Sequence, residues 1–173
     1  MAGTTSTCVL HPVSISADCK TITYTISGAG SYNIVIIAPD LTEYTDTLPT
    51  TAGSGTGTFL TVLADSQHGV YSIQATDSDT EHVCKGAVLS ACNLDCCIVK
   101  KTNELLDCAC DCEKCSALLA QTQKIFLMKQ AAEYNLERYN AKTGGYNVAY
   151  LSTAQGMYNK IFRICNDTCG CNC

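Results

Sequence analysis

Apolar and polar residues alternate through the first half of the chain. Ile22, Tyr24 and Ile26 are separated by threonines, residues 32–38 form a continuous β-favouring run closed by Pro39 and Asp40, and 58–63 and 70–75 repeat the signal. Successive side chains on a strand point to opposite faces, so this period of two marks half-buried strands. Gly, Pro, Asp and Ser punctuate the stretch, leaving room for about seven short strands between residues 8 and 89. Residues 50–57 contain only Gly, Ser, Thr and Ala, which predicts a mobile hairpin tip or an interaction loop.

Near Ser90 the period lengthens to about 3.6, the repeat of a helix. A first helix is predicted over 93–107, capped by Asn93, with Leu94, Cys97, Ile98 and Leu105 on one side and Lys100, Lys101 and Glu104 on the other. A second over 113–139 carries Leu118, Leu119, Ile125, Phe126, Ala132 and Leu136 at helical spacing. Gly144 and Gly145 then supply the left-handed conformations that stop it. A third over 147–165 has Val148, Leu151, Tyr158, Ile161 and Phe162 as its stripe, and the short connection makes helices two and three antiparallel neighbours.

The fold class that follows is α+β. An N-terminal antiparallel β-sandwich occupies 1–90, because each half-buried sheet needs another to cover it, and a cysteine-rich helical hairpin of two to three α-helices occupies 91–173. Asp65, Gly69 and Tyr71 resemble the region entering the penultimate strand of immunoglobulin-like domains, with three residues instead of one between the Asp and the Gly. That resemblance implies an immunoglobulin-like fold and no activity.

Charge sharpens the division. Up to Ala91 there are two basic residues, Lys20 and Lys85, against eight acidic ones; from Cys92 onward nine basic stand against eight acidic. An acidic first half and no basic stripe in the second argue against a phosphate backbone as a direct partner. No apolar run approaches the length of a membrane helix. The first residues carry neither a basic nor an apolar leader segment, so synthesis in a reducing cytosol is expected.

Against that expectation stand 14 cysteines, eleven of them from Cys92 onward. A second helix of roughly 26 residues rises about 39 Å and a third of roughly 19 returns about 28 Å, so the hairpin brings the tail back towards the start of the second helix. Cys165, Cys169, Cys171 and Cys173 then approach Cys108, Cys110, Cys112 and Cys115, with Cys92, Cys96 and Cys97 one short helix away. Such thiols can close tetrahedral Cys₄ sites around zinc, although paired C-x-x-C knuckles are absent. They can equally form disulfides worth about 2–4 kcal/mol each, or serve as small buried hydrophobes. Zinc is therefore an open cofactor, and no other is indicated. In the β part, Cys8, Cys19 and Cys84 read as buried thiols, with a Cys8 to Cys19 bridge as the alternative.

No catalytic residue is assigned. His11, His68 and His82 all lie in the β part, away from the clustered cysteines, and His82 beside Cys84 reads as an ordinary strand pair. Residues 53–57 lack the Lys and Ser/Thr of a phosphate loop. Asp77, Asp79 and Glu81 read as a solvated acidic turn before a calcium site.

The block Cys92, Cys96, Cys97, then Cys108, Cys110, Cys112, Cys115, then Gln123 to Leu127, closing on Cys169, Cys171 and Cys173, resembles small virion proteins of crAss-like tailed phages. It covers roughly the last 80 residues. The resemblance implies a non-enzymatic subunit of a homo-oligomeric ring in the tail or head-to-tail connector, made in the host cytoplasm, located in the virion and touching portal, ring or tail proteins. Thiols would oxidise after lysis and harden the particle. The competing expectation is a cytosolic zinc-binding adaptor whose sandwich recognises a partner protein.

Overall fold

A computed structural model of the chain describes residues 8–28, 30–50, 54–61, 68–106, 112–142 and 146–169. Its strands are β1 (Val9–Ile15), β2 (Thr21–Ser27), β3 (Gly30–Ile37), β4 (Glu43–Thr50), β5 (Ser54–Leu60), β6 (Gly69–Asp77) and β7 (Val83–Ser90). Three helices follow: α1 (Cys92–Leu106), α2 (Cys112–Asn140) and α3 (Ala149–Cys169). The fold is α+β, and every strand pairing is antiparallel.

The strands make two sheets, ordered β1-β2-β5 and β4-β3-β6-β7. The chain therefore changes sheet after β2, β4 and β5. Parity decides what each strand buries: Ile22, Tyr24 and Ile26 of β2, Tyr32, Ile34 and Ile36 of β3, and Tyr71, Ile73 and Ala75 of β6 all enter one core, to which Leu10, Phe59 and Cys84 also belong. Phe59 of one sheet lies 5.1 Å from the Tyr44 ring and 6.2 Å from the Tyr71 ring of the other. The β1–β2 register slips between Leu10 and Val13, around Pro12, a residue with no N–H to give to a ladder. Gly86 of β7 leaves space for Leu10 and Val13 of β1, so β1 can lie close against a strand of the opposite sheet.

The outer face of β6 and β7 is covered by the helices. Val70, Ala87 and Leu89, which alternate with the inward residues, join Ala91, Leu94, Ile125, Ala132, Leu136, Tyr139, Ala154, Tyr158 and Ile161 in a second core. Two side-chain amides fix the helices to the strands. Asn140 accepts from the Ala87 N–H at 2.6 Å and donates to the Ala87 carbonyl at 2.9 Å, in the manner of an added strand. Gln155 accepts from the Val70 N–H at 2.7 Å. Lys129 of α2 pairs with Asp95 of α1. Between α2 and α3, the Arg138 guanidinium lies 4.8 Å from the Tyr150 ring and the Tyr139 and Tyr146 rings are 5.6 Å apart. Among the described residues no helix is long and apolar enough to cross a membrane.

Several local expectations are corrected. Residues 54–57, read as loop, form the start of β5 paired with β2 from Tyr24 to Ser27. Gly57 is there because a side chain would strike the Tyr24 ring, a packing role that composition disguises as flexibility. Asn93 is not the cap of α1: the helix has begun at Cys92, and Asn93 donates to the Tyr158 hydroxyl at 3.2 Å. Lys101 is buried, since positions 94, 97 and 101 share a helical face, and its ammonium lies 3.3 Å from Glu104. Leu119, Phe126, Val148 and Phe162 are exposed, whereas Tyr139 and Ala154 take core places. Lys142, at φ 57°, supplies the left-handed residue after α2; Gly144 and Gly145 lie outside the described residues. Asn147 starts α3 by accepting from the Ala149 N–H at 2.9 Å.

Candidate functional site

The junction where β7 runs into α1 collects the chemistry that the sequence singled out. Ser90 ends β7, Ala91 is buried, and Cys92 opens α1. Beside them is the turn between β1 and β2, held by Ser16, whose carbonyl accepts from Cys19 N–H and whose hydroxyl accepts from Thr21 N–H. Cys19 sits in that turn at φ 55°, 5% exposed, and forms a disulfide with Cys92, the two Cα atoms 5.9 Å apart. A second disulfide joins Cys8, just before β1, to Cys84 in β7, at a Cα separation of 5.7 Å.

These pairings overturn the reading of Cys8, Cys19 and Cys84 as thiols and exclude the Cys8 to Cys19 bridge. Cys8 and Cys19 flank β1, a strand of seven residues. At about 3.3 Å per residue such a strand holds its ends about 20 Å apart, far beyond disulfide reach. Each instead meets a residue more than seventy positions away, brought in by the packing of β1 on β7 and by the chain entering α1. Cys84 is thereby removed as a thiolate beside His82. No sequence signal marked these partners, because they depend on which strands lie opposite across the core.

The clustered cysteines have different fates. Cys92 is bonded to Cys19. Cys97 and Cys165 are buried thiols in the core shared by the helices, with Ile125 and Ile161. Cys115, in the first turn of α2, is disulfide-bonded. The backbones of Cys96, Cys112 and Cys169 belong to α1, the first residue of α2 and the last of α3, while their side chains lie outside the description. Cys108, Cys110, Cys171 and Cys173 lie outside the described residues. Among the described residues no three His, Cys, Asp or Glu side chains are grouped to hold a metal ion.

Other candidates resolve as local structure. Asp77 accepts from the Asp79 N–H at 2.8 Å and the Thr80 N–H at 3.0 Å. Thr80 and then Asp79, through these backbone bonds, hold its carboxyl below the usual range. His68 Nδ1 lies 3.3 Å from the Ser90 hydroxyl, and burial lowers its pKa. Ser90 is only 1% exposed. Tyr71, expected at the entry to the penultimate strand, is fully buried in β6, and burial pushes its hydroxyl up to about 12. The sequence reading missed Asn140 and Gln155, which look like ordinary polar helix residues until the strand backbone beside them is known.

Exposed apolar side chains lie on the β3–β4 turn, on the helices and, at Val9, Leu60 and Val83, on the strands. Leu41, between β3 and β4, is 80% exposed at φ 73°, although its own N–H donates to Ala38 O at 2.9 Å. Along the seam of α2 and α3 an open groove of about 460 Å³ is lined by Leu127, Met128, Ala131 and Met157 and framed by Lys124 and Lys160.

Neither protein-family models nor curated proteins match the chain. Among solved structures it is similar to a polysaccharide deacetylase from Bacillus cereus at 12% identity and a TM-score of 0.38, a match covering 49% of this chain and 29% of that one. A likeness of that size bears on neither fold nor activity.

Proposed function

We propose that the chain is a non-enzymatic structural subunit of a phage particle, present as a homo-oligomer in the tail or head-to-tail connector and contacting portal, ring or tail proteins. The observation that carries the reading is the pair of long-range disulfides. Cys8–Cys84 ties the residue entering β1 of one sheet to β7 of the other, and Cys19–Cys92 ties the β1–β2 turn to the start of α1. Bridges of this span suit a protein that works in oxidising surroundings and must keep its shape there. They also favour disulfides over zinc for the clustered cysteines other than the buried thiols Cys97 and Cys165.

The finer architecture belongs to the same proposal. The two sheets are an immunoglobulin-like sandwich: three strands face four, and the changes of sheet after β2, β4 and β5 fit the Greek-key connections of such domains. Helices α2 and α3 form a hairpin, supported by the approach of Arg138 to Tyr150 at one level and of Leu127 to Met157 at another. With the boundary at 90/91, residues 1–90 and 91–173 present two surfaces, one for a neighbour in the same layer and one for the layer above or below.

The test is peptide mapping of purified particles without reduction. Recovery of the chain from particles, with Cys8–Cys84 and Cys19–Cys92 peptides linked, is the expected result. Absence from particles, together with stoichiometric zinc in the freshly reduced protein, overturns the proposal in favour of the cytosolic adaptor.

A further inference from the structure

The turn carrying Leu41 is built against its own backbone preference. Thr42 donates to Asp40 through both its N–H, at 3.0 Å, and its hydroxyl, at 2.9 Å, and Ala38 N–H donates to the Thr42 carbonyl at 2.9 Å. These bonds close a tight loop whose left-handed position suits Gly or Asn. Leucine there is strained and gains nothing from burial, being 80% exposed. A strained residue presenting an apolar side chain to water points to a contact made elsewhere.

A complementary recess exists on the same molecule, at a place Leu41 does not reach. Leu41 lines the cleft beside Leu151 and Ser152, near the start of α3. The groove with Met157 and Lys160 lies six to nine residues further along α3, about 9 to 14 Å away. Its floor is aliphatic and Leu127 is 62% exposed within it, so it offers an open apolar bed to an incoming leucine. Lys124 and Lys160 have no ion-pair partner among the described residues. Asp40 and Glu43, exposed on either side of Leu41, carry the opposite charge. The wider pattern agrees, since residues up to Ala91 are strongly acidic.

We propose that Leu41 of one copy inserts into the α2–α3 groove of a second copy, between Leu127, Met128 and Met157, with Asp40 and Glu43 facing Lys124 and Lys160. Knob and groove are different surfaces, so the contact is heterologous and repeats from copy to copy, closing into a ring or continuing as a filament according to the rotation. The inference deepens the structural-subunit reading and rests on it for the need to repeat.

Sedimentation velocity on the oxidised full-length protein, over a concentration series, tests the contact. The wild type is expected to associate. Leu41→Asn should weaken association about tenfold to a hundredfold, from the lost apolar burial, while its unfolding midpoint does not fall, because Asn tolerates the left-handed turn. Lys124→Glu should weaken it too, and adding Glu43→Lys should restore it. Carbodiimide coupling of mixed ¹⁵N-labelled and unlabelled chains should join Asp40 or Glu43 of one copy to Lys124 or Lys160 of another. A monomer at every concentration, association unaffected by Leu41→Asn, failed restoration by Glu43→Lys, or Lys124 coupling in particles only to a different protein would each overturn the proposal. Absence of the chain from particles would instead sink the structural-subunit reading, whatever the solution experiment gives.

Discussion

The β part and the helical part bury their apolar residues by different rules. In β2 the buried residues are every second one, and the partially exposed threonines between them face the other way. In α2, Ile125, Ala132, Leu136 and Tyr139 are buried while Leu119, Phe126, Leu127 and Tyr134 of the same helix are exposed. A strand offers two faces and parity chooses between them. A helix offers a continuous perimeter, and where its apolar residues surround it, the neighbours decide which part becomes core. The sheets are thus specified locally, whereas α2 takes its inner face from β7, α1 and α3.

Breaking the covalent ties should have the largest effect. Replacing both cysteines of either disulfide by alanine should lower unfolding free energy by about 3 to 5 kcal/mol, from closed loops of more than seventy residues. Denaturant titration with and without reductant measures it, and equal midpoints in the two conditions would refute it. Next comes the face of α2. Ile125→Ala should cost about 2 to 4 kcal/mol, and Phe126→Ala, one residue on, less than about 0.5. Comparable losses at the two positions would dissolve the contrast between inner and outer perimeter.

Asn140→Ala leaves the Ala87 N–H and carbonyl without their side-chain partner and should cost about 1 to 2 kcal/mol. Hydrogen exchange at Ala87 should accelerate in the variant while that at Ile34, in the interior of β3, stays slow. The smallest effect is on pH. The Asp77 carboxyl is depressed in the folded state, so the unfolded chain takes up its proton first as pH falls. Its contribution is complete above the unfolded value of 3.8 and is lost as pH drops through the folded value. Asp77→Asn should flatten the fall in thermal midpoint below about pH 4 relative to wild type.

Much of the strand architecture was legible because burial and alternation coincide at Ile22, Tyr24, Ile26, Ile34 and Ile73. Residues 54–57 were not, because Gly57 was chosen for what it leaves out beside Tyr24, and a strand built around an absent side chain reads as loop. The outward face of β6 and β7 was similarly hidden: Val70, Ala87 and Leu89 look like ordinary strand residues, and only the helices above them make them core. Cys8 and Cys19 could not be matched to partners from spacing, since pairing across the core is set by tertiary approach. Leu41 had a readable clue, an apolar residue where a Pro-Asp turn usually ends in Gly or Asn.

The bond between Cys8 and Cys84 also changes how the molecule bears a pull. Tension applied from the N-terminal side of Cys8 towards the helices passes into β7 and skips the chain between the bridged positions, a sequence separation of 76. At about 3.5 Å for each extended residue, some 270 Å of slack is withheld from the stretched chain. Strands β2 to β6 carry no axial load, because Cys19–Cys92 returns the parallel path through β1 to the start of α1, and beyond that point only the helices can lengthen.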